Sequence, residues 1–470
     1  MSLAIRSAFR VVTMILLVTL SGILPAWSQE PELDPGTAPG SATVPKSKDN
    51  STAAPAIAQP HRTWTDQKGR QHSGKLLAFD NVRATLQLDD SRVISVTPRS
   101  LSSGDQTFLA EWRKDNTDGS WVDPRNMPAW PIRSGTGRAK VIAVQNKANN
   151  SRFIYHSANF AITSDVSLPL NTVADMATAF EATRRAVLDL PLGLGAKPKL
   201  PPRRRGPNQS LSLQMRPAFS GFSPYGNARP HTNTSAPQSS RRLPVELYIT
   251  PQAYGLAGGA AGTGGYYSAW HRTMLISLQN FGIKIDENKR VTLDYQDKVF
   301  ILRHEVSHQV MRDWLPHLPV WISEGMAEYL AALPYQNGHY NFTKLEKPFI
   351  AYLNKWRYDD DPRVIPMIAP AKMLTMTSKE WTEALSMSTP ILNYNSAALL
   401  VWYFLYQDGD GKASDLAAYF QAIQQKPQNA QAFLQIHLLR GRAPEKIATE
   451  IRAAWKKNGV EIVFQSPPEP

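Results

Sequence analysis

"RHEVSHQVMRDWLPHLPVWISEGMAEYL", residues 303–330, sets two histidines four apart, His304 and His308, ahead of two glutamates four apart, Glu324 and Glu328. The window 295–314 around the histidines contains no Pro or Gly, and Val299, Phe300, Val306, Val310 and Met311 recur at helical spacing, which predicts a helix. Side chains four apart on a helix share a face, with Cβ atoms about 5–6 Å apart, so both imidazoles reach one tetrahedral ion. Glu305, between them, stands where it takes a proton from a water activated at that ion. Taken alone this spacing also suits surface histidines on a core helix. The second half of the stretch narrows the choice. Pro316 and Pro319 end the first helix and Trp321 opens another. Fifteen residues separate His308 from Glu324, enough for a chain to stop, turn and return antiparallel. Glu324 then becomes a third ligand and leaves a fourth position open. Glu328, one turn on, is placed to accept a hydrogen bond from the outer nitrogen of a ligating histidine. Two carboxylates buried side by side without a cation would be costly.

"HEVSH" followed by "WISEGMAEY" resembles the gluzincin metallopeptidases, the group that includes thermolysin and aminopeptidase N. Over residues 245–405 the resemblance implies a zincin-type peptidase domain and Zn²⁺ as cofactor. It also implies His304, His308 and Glu324 as ligands and Glu305 as general base. The gap before Glu324 is shorter than in those relatives. A helix in "LNYNSAALLVWYFL", residues 392–405, beginning near Tyr394, resembles the gluzincin segment in which a tyrosine precedes an Ala/Leu-rich helix and hydrogen-bonds the tetrahedral intermediate, which implies Tyr394 as oxyanion donor; Tyr403 reads as core. Aminopeptidases of the group bind the substrate's free amine with a Glu in a Gly-x-Met-Glu-Asn element. The corresponding segment here, "GTGGYYSAWHR" at 262–272, has no acid, so endopeptidase action on peptide or protein substrates is the expectation. The substrate would add as a strand along this edge.

The 470-residue chain is long enough for two or three folded units. It contains no cysteine, which excludes disulfides, thiolate ligands and a cysteine nucleophile. Of the formal charge of +13, most lies between Lys197 and Val245, where nine Lys or Arg stand with no acid among Pro, Ser, Asn and Gly. This composition suits a solvated basic insertion at 197–244, and no specific nucleic-acid partner is expected. At the N-terminus, Arg6 and Arg10 precede an apolar run, Val11 to Leu24, and then Ala26-Trp27-Ser28. That is the pattern of a signal peptide over 1–28, giving an exported protein, periplasmic, extracellular or at the cell surface, with no transmembrane segment after its removal. Residues 29–60, rich in Pro, Ala, Ser and Thr, form a linker.

Four short alternating segments over 61–113, separated by turn signals and followed by "SSGDQTFLAEW", read as a small β-barrel. Trp64, the Lys68-Gly69 turn, Val93-Ile94-Ser95-Val96 and Leu101-Ser102 with Asp105 resemble the Sla homology domain one, an SH3-like module. That resemblance implies a docking or spacer role and a possible protein partner. Beyond a hinge at 115–137, strands are expected at 153–165, 245–250 and 266–278 and a helix at 171–190, with helices from Leu293 almost to the end. The whole is α+β, a small SH3-like barrel followed by a mixed sheet plus a mainly helical domain over 138–470. An adaptor whose business lies in 61–113, with the second domain as scaffold, stays open as an alternative. "DGDGKASD" at 408–415 has Lys412 at the third ligand position of a calcium loop and reads as a turn.

The leader generates the first prediction. When the full sequence is exported from a bacterial host, N-terminal sequencing of the product should begin near Gln29; an intact Met1 on cytoplasmic protein would contradict the reading.

Overall fold

The computed structural model describes residues 61–79, 83–90, 92–115, 130–144, 152–199, 242–260, 263–269, 271–285, 291–293, 298–355, 361–386 and 390–465. The leader at 1–28, the linker at 29–60, residues 116–129 of the hinge and most of the basic insertion at 197–244 lie outside the described residues. Among the described residues no helix is long and apolar enough to cross a membrane.

Strands β1 (His61–Thr65), β2 (Gln71–Phe79), β3 (Ala84–Leu88) and β4 (Val93–Val96) form an antiparallel sheet in sequence order. Helix α1 (Ser103–Asp115) packs on it. This unit has its own core of Trp64, Leu76, Phe79, Leu86, Leu88, Leu101 and Leu109. Trp64 is 1% exposed and donates its indole N–H to the Gly74 carbonyl at 3.1 Å. Asp105, just inside α1, is buried and accepts from Thr65 N at 2.7 Å and Ser102 Oγ at 2.8 Å, while Arg62 pairs with its other oxygen at 2.8 Å. One carboxylate thereby ties the first strand to the helix. Against the second part of the chain, Arg83 Nη1 lies 3.5 Å from Asp415 Oδ2.

A six-stranded mixed sheet is built from β6 (Ile142–Val144), β7 (Phe153–His156), β8 (Phe160–Ser164), β9 (Leu243–Tyr248), β10 (Gly265–Ser268) and β11 (Thr273–Ser277), in the order β10-β11-β9-β8-β7-β6. The pairs β8–β9 and β9–β11 are parallel and the rest antiparallel. Alternate residues of β8 and β9, namely Phe160, Ile162, Leu243, Val245 and Leu247, are buried against helix α2 (Leu170–Asp189) and helix α4 (Val299–Val310). Short helix α3 (Pro251–Leu256) precedes β10, which is the sheet's edge. The single strand expected over 266–278 is a hairpin instead. Arg272 takes a left-handed φ of 54° at its turn, and Ser268 Oγ accepts from His271 N at 3.3 Å.

The helical pattern from Leu293 onward is interrupted. Strands β12 (Ile283–Ile285) and β13 (Val291–Leu293) pair before α4, and helix α5 (Val320–Ala332) is followed by β14 (Tyr335–Gln336) and β15 (His339–Asn341). The latter two form a small sheet with β5 (Arg133–Gly135). Helix α6 (Glu346–Asn354) leads to β16 (Val364–Ile368), then α7 (Ser378–Ser386), α8 (Pro390–Tyr406), α9 (Ser414–Gln425) and α10 (Pro444–Lys457). The last strand, β17 (Glu461–Gln465), returns to pair in parallel with β16. The large core of this region gathers Trp314, Trp321, Tyr329, Phe349, Leu399, Trp402, Phe420 and Trp455.

Helices α5 and α8 approach closely because residue 325 is glycine. A Cβ there would stand 2.4 Å from the Ala397 carbonyl oxygen and 2.6 Å from Val401 Cγ2, closer than packed atoms tolerate. Gly255, inside α3, has nothing within 4 Å of the corresponding point. Gly325→Ala should therefore lower stability by about 1–3 kcal/mol through overpacking. Gly255→Ala should be neutral or add up to about 1 kcal/mol by removing backbone entropy. Urea unfolding midpoints of the two variants would check the contrast.

Candidate metal centre

Helix α4 carries the histidines and α5 the glutamates. Arg303 in the second turn of α4 donates to the carbonyls of Ala331 and Leu333 at the end of α5, whereas His308 further along meets Glu324. The two helices are thus antiparallel. The Arg303 guanidinium fixes their register: it caps the C-terminal carbonyls of α5, where a cation is favoured, and lies over the rings of Tyr335 at 5.2 Å and Tyr340 at 5.6 Å.

At the crossing, His304 Nε2 and His308 Nε2 are 3.0 Å apart, and each is 3.4 Å from Glu324 Oε2. Ligand atoms about 2.0–2.2 Å from one tetrahedral ion stand roughly 3.3 Å from each other, so the three donors fit a metal ion without rearrangement. The side chains are 12%, 9% and 20% exposed respectively, enough shelter to strengthen a charge interaction and enough access for a fourth ligand. This His/His/Glu cluster is able to hold a metal ion. Its charge balance asks for one as well, because the carboxylates of Glu324 and Glu328 contact the two imidazoles and that of Glu305 acts on His304 through space. Without a metal, protons take up the role. Burial opposes charge on His304, yet Glu324 and Glu328 outweigh it and hold that imidazole well above its ordinary value. Burial likewise pushes Glu324 up, but His308 and His304 bring it well below the usual carboxylate range.

The outer nitrogen of His304 is engaged as the spacing requires, with Nδ1 3.0 Å from Glu328 Oε1. A proton held on that side leaves Nε2 as the free lone pair. The second oxygen of Glu328 accepts from the Tyr352 hydroxyl at 2.6 Å. Burial and then Glu328 hold that phenol well above its ordinary value, so it stays a donor.

Glu305 turns away from this cluster toward the sheet edge, where its Oε2 accepts the backbone N–H of Tyr267 in β10 at 2.8 Å. Gly265 permits that approach: a Cβ there would stand 3.3 Å from Glu305 Cγ. Tyr394 completes the group from α8, its ring 6.0 Å from that of His304 and 5.4 Å from that of Trp381. Because α8 begins at Pro390, Tyr394 lies within the helix and does not precede it. Burial, followed by the fields of Glu324, Glu328 and Glu305, holds its hydroxyl well above the ordinary value, so it too remains protonated.

Of the residues singled out in the sequence, His304, His308 and Glu324 come together, Glu328 contacts His304, the Tyr394 ring lies beside that of His304, and Glu305 is held at the sheet edge. Tyr352, Trp381 and the Tyr267 amide were not foreseen. Tyr352 and Trp381 sit on helices with no motif of their own, and a backbone amide has no signature in sequence at all. No family model, curated protein or solved structure matches this chain.

Replacing Glu324 by Ala removes one of three donors, so metal affinity should collapse. Glu328→Gln keeps the three donors but loosens the His304 tautomer, and should cost about 10–100-fold. Titrating chelator-stripped protein with Zn²⁺ in the presence of a competing indicator would check the gradation; equal, small losses would show that neither glutamate serves the metal.

Proposed function

We propose that the chain is an exported zinc-dependent peptidase, cutting within peptide chains, with the N-terminal unit at 61–113 as an SH3-like docking or spacer module and residues 138–470 as a zincin-type catalytic domain. The observation that carries this reading is the convergence of His304, His308 and Glu324 beside a carboxylate, Glu305, that is tied to an edge strand. Two imidazoles and one carboxylate with a free fourth position are the donor set of a catalytic zinc site, whereas magnesium and calcium prefer oxygen alone. When bound, Zn²⁺ supplies Lewis acidity that polarises a carbonyl and acidifies a water.

Each further role falls to the protein. Strand β10 offers its outer edge to an extended substrate, which would pair through backbone hydrogen bonds. Glu305 takes the proton of the attacking water and returns it to the leaving amine. The Tyr394 hydroxyl donates to the oxygen that gains charge as the carbonyl becomes tetrahedral. Glu328, braced by Tyr352, keeps His304 in the ligating tautomer. The absence of any acid from 262–272 leaves no anchor for a free amine along that segment, which favours cleavage inside a chain over removal of its first residue.

Glu305→Gln keeps the size of the side chain and leaves all three ligands, so zinc should remain bound while hydrolysis of a quenched-fluorescence peptide library falls by about 10²-fold or more. Hydrolysis at the parental rate would remove Glu305 from the role of base.

A further inference from the structure

Arg312 lies four residues beyond His308, just after α4 closes. The chain stays nearly helical there, with Met311 N bonded to the Ser307 carbonyl at 3.0 Å and Leu315 N to the Met311 carbonyl at 3.1 Å. Residue 312 therefore continues the stripe of His304 and His308 by one more turn. The neighbouring residue, Asp313, binds two cations, Lys197 Nζ at 3.2 Å and the Arg272 guanidinium. Arg272 is the last residue of the β10–β11 turn, next to Thr273. Arg184 of α2 also lies within electrostatic reach of Arg312. Two cations thus bind the Asp313 carboxylate, and Arg312 and Arg184 stand close enough to add to the positive field. Arg312 and Arg184 are both half-buried, and neither makes a hydrogen bond or ion pair among the described residues. Burial first, and then the Arg272 guanidinium, push Arg312 below its ordinary value. The sequence running on from Lys197 holds no acidic residue as far as Val245, so it brings no counter-charge.

This excess of positive charge lies along the substrate's path. Tyr267, whose amide holds Glu305, is within the field of Arg272 and Arg312. Beyond Tyr267 the strand has one more residue, Ser268, before the hairpin turns through Arg272. An extended chain lying on β10 advances about 3.3 Å per residue and meets the cluster within two or three residues of Glu305. A half-buried guanidinium that has no hydrogen-bond partner among the described residues is poorly solvated and gains from a planar carboxylate.

We propose that Arg312, with Arg184, Arg272 and Lys197, binds a carboxylate of the substrate, so that the protein selects acidic peptides with the negative group two or three residues from the bond at the metal. This rests on the peptidase reading for the word substrate. The carboxylate is either an Asp or Glu side chain or a free C-terminus.

Binding can be separated from turnover by using the chelator-stripped full chain and fluorescence anisotropy with three labelled peptides of one apolar core. One carries an internal Glu and an amidated end, one a free C-terminus only, and one no charge. At low salt at least one of the charged peptides should bind about tenfold tighter than the neutral one, and which one does so identifies the source of the carboxylate. Arg312→Gln should erase the preference and Arg312→Lys should restore part of it. Arg184→Gln reports on the same site if the first variant folds poorly. Arg138→Gln, which removes an equal charge from the distant pair with Asp175, should leave the preference intact. Equal affinity for all three peptides overturns the proposal, as does an equal loss in Arg138→Gln. Acid-selective binding that depends on Arg312, without cleavage after zinc is restored, supports the site and overturns the peptidase reading instead. Cleavage without acid preference overturns the site alone.

Discussion

Two imidazoles and three carboxylates, those of His304, His308, Glu305, Glu324 and Glu328, are drawn partly out of water where α4 and α5 run antiparallel. Charge in such a place is unfavourable unless each group finds a partner. The protein meets that demand group by group. Glu328 is held by His304 and Tyr352, and Glu305 by a strand amide. For His304 Nε2, His308 Nε2 and Glu324 what remains is one shared locus that a cation satisfies.

Holding those donors 3.0–3.4 Å apart requires a scaffold that does not slide. Arg303 pins the second turn of α4 to the last carbonyls of α5. Gly325, next to Glu324, lets α8 press against α5 and brings Tyr394 to the site. The mixed sheet supplies the third wall, since β10 is both its edge and the partner of Glu305. Helices, sheet edge and the His/His/Glu cluster are therefore mutually dependent, and small displacements at Gly325 or Arg303 act directly on the spacing of its donors.

Charge is distributed unevenly around that centre. The ligand cluster is acidic on the side of α5, while the basic group of Arg184, Arg272, Arg312 and Lys197 stands by the hairpin turn. Under the proposed function, a peptide crossing from one to the other meets a field gradient, and field lines focused by low-dielectric walls draw oppositely charged ligands inward.

The sequence by itself was sufficient to single out the three donors of the cluster that is able to hold a metal ion. Helical periodicity is local, so the spacing of His304 with His308 and of Glu324 with Glu328 determines which side chains share a face, and Pro316 and Pro319 force the return between them. Alternation likewise revealed β8 and β9, and the mixed α+β character with them. The tertiary structure decided what no local pattern encodes. The hairpin at Arg272 replaced one expected strand because a left-handed turn residue other than glycine leaves little trace in composition. The pairing of β16 with β17 joins segments nearly a hundred residues apart. Tyr352, Trp381 and the Tyr267 amide reached the site only through packing. Arg312 gained its neighbours from α2 and from the hairpin in the same way. Backbone register and long-range packing arise from complementary surfaces of whole elements, and those exist only once the chain has folded.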